Sequence, residues 1–82
     1  MSEFFKTRDL YEAAYIYCLE GKFIKLEQEN DICWFVFDNQ ILCSKLSSEY
    51  WSKQGKVVGK DYSESIRTLK DLIFSKKRSF NY

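Results

Sequence analysis

The run Ile32-Cys33-Trp34-Phe35-Val36-Phe37 is apolar at every position, β-branched or aromatic at most of them, and too short for a typical helix. It reads as a strand. Successive side chains of a strand point to opposite faces of its sheet, so both faces of this one are driven out of water. A chain of 82 residues has helices enough to cover one face of a small sheet. The other face needs its own cover: a further helix, a second subunit or a ligand. What that cover is bears directly on what the chain does.

The rest of the pattern falls around this strand. Phe4-Phe5-Lys6 reads as a short edge strand. Thr7 is placed to cap a helix, with Asp9 in its first turn favourable to the helix dipole. Leu10, Ala13, Ala14, Tyr17 and Cys18 recur at helical spacing, and Gly21 stands where that helix should stop. Phe23 to Gln28 reads as a strand with Ile24 and Leu26 on one face and Phe23, Lys25 and Glu27 on the other. The polar turn Glu29-Asn30-Asp31 then returns the chain into 32–37 as a β-hairpin. Asp38 or Asn39 can cap a second helix that carries Leu42, Leu46 and Tyr50 on one side and ends near Trp51. Val57-Val58 reads as an extended link or a small extra strand. Asp61 and Glu64 fit a capping box, and Tyr62, Ser65, Ile66, Leu69, Leu72, Ile73 and Lys76 follow one helical face. Leu69 lies mid-face and is expected to be fully buried. These readings give an α+β fold: a small antiparallel sheet, order β-α-β-β-α-α, with helices mainly on one face. They make residues 1–78 a single globular domain and 79–82 a flexible tail.

Composition narrows the function classes. The chain is 45% hydrophobic and 18% aromatic, enough for a compact core, yet so short a domain has a thin stability margin. No segment approaches the roughly 18 apolar residues of a membrane span, and no signal peptide is evident, so a cytoplasmic protein is expected. There is no histidine, which removes the commonest general base and metal ligand. Cys18, Cys33 and Cys43 are scattered and read as reduced, buried thiols rather than a zinc site or a disulfide framework. No phosphate loop, nucleophile motif or metal signature is present, so neither an enzyme nor a cofactor is expected. The net charge of +1 is unevenly spread. Residues 1–44 hold four basic and eight acidic side chains, a net −4; residues 45–82 hold nine and four, a net +5. Such asymmetry suits a surface that meets a polyanion, although two-sign surfaces are ordinary in small proteins.

Two sets of residues could meet such a partner. The first is an aromatic face of the hairpin, with Phe23, Lys25 and Glu27 beside one of the two rows of the next strand, either Cys33, Phe35 and Phe37 or Trp34 and Val36. Rings stack on bases while an ammonium meets phosphate, as single-stranded nucleic acid requires. The plainer reading is that these rings are core, or a seam between subunits. The second set is a basic strip on and before the last helix: Lys53, Lys56, Lys60, Arg67, Lys70, Lys76, Lys77 and Arg78. Lys60 with Glu64, and Arg67 with Asp71, stand at i, i+4 and could pair internally, whereas 76–78 are not so matched. The plainer reading of the strip is dipole complementation and solubility.

Thr7-Arg8-Asp9-Leu10-Tyr11-Glu12-Ala13-Ala14-Tyr15, Trp34-Phe35-Val36-Phe37, Tyr50-Trp51 and Arg67-Thr68-Leu69-Lys70-Asp71-Leu72-Ile73-Phe74 together resemble a small domain family of bacteria, archaea and their phages. The resemblance spans roughly residues 5–75. The family has no assigned activity, so no functional residue carries over. It implies an autonomous domain of phage or mobile-element character. The leading expectation is a non-enzymatic accessory protein that binds nucleic acid, DNA-binding included. The alternative is a protein-interaction module or inhibitor, with a homodimer among its forms.

Overall fold

The structure is a computed structural model that describes residues 4–19, 21–53 and 59–79, the side chains of 77–79 excepted. Its elements are β1 (Phe5–Thr7), α1 (Leu10–Cys18), β2 (Phe23–Glu29), β3 (Ile32–Phe37), α2 (Gln40–Trp51) and α3 (Gly59–Ser79). The sheet is antiparallel in the order β1-β3-β2, which puts the all-apolar strand in the centre. The three helices pack on one of its faces. Their shared core is Ala13, Ala14, Tyr15, Ile16, Phe35, Phe37, Cys43, Leu46 and Leu69. Leu69 is fully buried, as its place on the helix face requires. The expected link at Val57-Val58 and most of the expected tail lie outside the described residues; Ser79 belongs to α3.

α1 begins later than the capping pattern suggests. Asp9, not Thr7, is the N-cap, and its carboxylate accepts from the Glu12 N–H at 2.9 Å. Thr7 instead ends β1, and its hydroxyl accepts from the Asp9 N–H at 3.1 Å. The buried arc of α1 is also wider than the Leu10-Ala13-Ala14-Tyr17-Cys18 stripe. Tyr15 and Ile16 are buried while Tyr17 is exposed, because α1 touches β1, α2 and α3 at once. The N–H of Gly21 reaches back to the Ile16 carbonyl at 2.8 Å. A Cβ at Gly21 would collide with the Ile16 side chain and stand 2.6 Å from its carbonyl oxygen, so this glycine is needed for close approach. Asn39 caps α2 from a left-handed conformation, φ 63°, and accepts from the Leu42 N–H at 3.1 Å. α3 starts at Gly59, so Asp61 lies inside its first turn rather than at a capping box.

One irregularity resets the hairpin. The register of β2 against β3 shifts between Phe23 and Lys25, leaving Ile24 as a bulge. Phe23 and Leu26 therefore share the helix side, opposite Phe37 and Phe35, while Lys25 and Glu27 lie on the other face beside Val36 and Trp34. The faces expected from unbroken alternation are corrected accordingly.

The face without helices has an internal cover. Val36 is only 1% exposed, though it lies away from the helical core. Lys6 on β1 and Lys25 on β2 flank it in register. Lys6 reaches Glu27 at 2.7 Å, and Lys25 approaches the same carboxylate at 3.6 Å. Since β3 lies between Lys6 and Glu27, their ion pair arches over it. The aliphatic stems shield Val36 while the charged ends stay wet. Lys6 holds the Glu27 carboxyl below its usual range, chiefly through this hydrogen bond.

Candidate functional site

The two sequence-derived sets fare differently. The aromatic face does not exist as a surface. Phe35 and Phe37 are buried beneath the helices, and Phe23 packs edge-on to Phe37 with ring centroids 5.6 Å apart. Trp34 alone points to the opposite face, half-buried beside Glu27. Strand alternation separates Trp34 from Phe35 and Phe37, and the bulge separates Phe23 from Lys25. Lys25 is exposed but engaged with Glu27.

The basic strip is partly described. Lys53, Lys60, Arg67 and Lys70 are all exposed. Lys60 and Arg67 lie on the side of α3 away from its buried Ser65 and Leu69, with Lys70 at the flank. Glu64 and Asp71 are exposed too, yet Lys60–Glu64 and Arg67–Asp71 are not among the ion pairs of the described residues. Lys76 is half-buried and engaged. Lys56 and the side chains of Lys77 and Arg78 lie outside the described residues.

A different cluster emerges where α1, α2 and α3 meet. Its anchor is Glu12, 6% exposed in the first turn of α1. One carboxylate oxygen accepts from the Thr7 hydroxyl at 2.5 Å. The other accepts from the Ser47 hydroxyl and, at 2.8 Å, from the Trp51 indole N–H. A buried carboxylate needs such donors, and here three neutral ones from β1 and α2 supply them. The bond fixes an indole that is otherwise 61% exposed. Tyr50 sits edge-on to that ring, centroids 5.0 Å apart, and Tyr15 tilts against Tyr50 at 5.5 Å. Tyr62, on α3, donates to the Tyr11 carbonyl at 3.1 Å, and the Tyr11 side chain is itself half exposed. Burial and then the neighbouring Tyr50 push the Tyr62 phenol up to about 12. Burial and then Asp9 raise Tyr50, and burial and then Glu49 raise Tyr15. These phenols are neutral hydrogen-bonding groups at neutral pH.

The arrangement leaves two rings exposed at the junction, Trp51 and Tyr11. Lys53 follows Trp51 by two residues and is exposed; Lys60, two residues before Tyr62, is exposed on the outer side of α3. Sequence reasoning found Lys53 and Lys60 but missed the rings, because positions 11, 50, 51 and 62 share no periodic stripe. The one legible signal was Tyr11, which falls outside the apolar face of its own helix.

The three thiols are free. Cys43 is buried, and burial raises its thiol, whereas Cys18 and Cys33 are only half-buried. Among the described residues no helix is long and apolar enough to cross a membrane. No family profile, curated protein or solved structure matches the chain.

Proposed function

We propose that the chain is a non-enzymatic nucleic-acid-binding protein whose contact surface is the helix junction, with Trp51 and Tyr11 as stacking rings and Lys53, Lys60 and the outer side of α3 as phosphate contacts. The observation that carries this reading is the Trp51 indole, pinned by Glu12 yet left mostly exposed. An indole held by its edge offers its π-face at little entropic cost, and base–aromatic stacking contributes about 1–3 kcal/mol per base. The exposed Lys60, Arg67 and Lys70 add a sequence-independent electrostatic contribution.

The test is titration of a labelled single-stranded oligonucleotide at ~50 mM salt, repeated up to ~200 mM, where phosphate-driven binding falls steeply. In a Trp34→Phe background, Trp51 is the remaining indole, and its fluorescence should be quenched on binding. Tyr11→Ala should weaken binding about 5- to 150-fold, the range expected for one lost stacking ring. Replacing Lys60, Arg67 and Lys70 by Gln should lower the slope of log affinity against log salt by up to ~2. No binding at the lowest salt overturns the proposal and favours a protein partner instead.

A further inference from the structure

Among the described residues β2 is an outer strand with one unpaired edge, and that edge has a definite hydrogen-bonding phase. The two-residue turn Asn30-Asp31 makes Glu29 and Ile32 the closing hydrogen-bonded pair, and alternation continues from there. Glu27 and Lys25 thus bond inward to β3, while Gln28 and Leu26 turn their N–H and C=O groups outward. The bulge lies at the start of the strand, so residues 25–29 run regularly along this edge.

We propose that this edge is a docking site for a second copy of the chain, joined antiparallel about a two-fold axis at Leu26, so that two three-stranded sheets become one six-stranded sheet. The charge pattern selects both partner and register. With the axis at Leu26, Lys25 faces Glu27 of the second copy, and Glu27 faces its Lys25. These are non-hydrogen-bonded positions of the new pair, where cross-strand side chains come closest. Moving the axis to residue 25 sets Lys25 against Lys25; moving it to residue 27 sets Glu27 against Glu27. Leu26 meets Leu26 on the helix side, and Gln28 pairs with the bulged Ile24. An edge-only contact is small, which places the complex in the weak class of interfaces. The inference does not depend on the nucleic-acid reading, because the edge and the helix junction use different residues.

Sedimentation velocity over a concentration series, reaching the millimolar range, tests it. Wild type, Lys25→Glu, Glu27→Lys and the double exchange are compared, with circular dichroism confirming that each is folded. Wild type should dimerise, each single reversal should weaken dimerisation about tenfold through two like-charge contacts, and the double exchange should restore it. Amide exchange at Leu26 should slow as concentration rises. A wild type that stays monomeric throughout overturns the proposal. So does a dimer indifferent to the single reversals, a double exchange that fails to rescue, or a Leu26 amide whose exchange ignores concentration.

Discussion

Removing Glu12 tests whether its three donors hold the helix junction together. Glu12→Ala deletes the acceptor for Thr7, Ser47 and Trp51. The three losses are unequal. Thr7 is buried, so its hydroxyl is left without an acceptor at a cost of about 1–3 kcal/mol. Ser47 is half-buried and Trp51 mostly exposed, so water can reclaim both donors, and each costs nearer ~0.5–1 kcal/mol. Losing a buried carboxylate gives some desolvation energy back. The expected net is about 2–4 kcal/mol, a large share of the ~4–12 kcal/mol available to a domain of this size. Glu12→Gln behaves differently: its carbonyl can take the Ser47 and Trp51 bonds while its amide donates to the Thr7 oxygen, leaving a cost near ~1 kcal/mol. Urea unfolding with constant m-values separates the two variants. If Glu12→Ala unfolds within about 0.5 kcal/mol of wild type, the carboxylate is solvated and the reasoning fails. If Gln costs as much as Ala, charge rather than bond count stabilises the junction.

Leu69→Ala should lower stability by about 2–5 kcal/mol, because the side chain is fully buried among all three helices; calorimetry or urea unfolding reads it directly. Gly21→Ala should cost about 1–3 kcal/mol, since the new methyl meets both the branched Ile16 side chain and the Ile16 backbone carbonyl, and an unchanged midpoint would mean that the turn relaxes freely. Tyr62 has its phenol raised from 10.0 to about 12, so folding favours the neutral form. Its contribution is fully present below pH ~10 and is lost as pH rises through about 12. Denaturation midpoints across that window should therefore fall, and Tyr62→Phe should flatten part of the fall.

The sequence carried the architecture well because its signals are local. The apolar run at 32–37 and the α3 stripe each fit within one element and lie where periodicity put them, although the polar turn shortens to Asn30-Asp31, with Glu29 inside β2, and Leu72 stays exposed. The bulge at Ile24 was not legible, since one extra residue costs no visible pattern yet turns every later side chain of β2 over. That reversal parts Phe23 from Lys25, while alternation along β3 and burial under the helices remove the other rings from a shared surface. Glu12 was hidden for another reason. A glutamate in the first turn of a helix ordinarily answers the helix dipole from solvent, and nothing near it in sequence announces Ser47 or Trp51. The rings of Tyr11 and Trp51 become neighbours of one junction only after the helices dock. Long-range polar satisfaction of this kind leaves no trace in spacing.

The Lys6–Glu27 arch makes colloidal behaviour depend on ionic conditions. A second helical layer would hide Val36 permanently, but lysine stems hide it only while their ends are tethered. Both tethering charges are well exposed to solvent, so salt weakens the arch. Acid releases it as well, once Glu27 is protonated below its already lowered range. Either change bares the flank of β3 without unfolding the helices behind it. The protein should therefore lose solubility at high ionic strength while its helical signal persists, precipitating as a folded species; in acid its basic side chains are no longer offset by carboxylates, and their repulsion opposes that association.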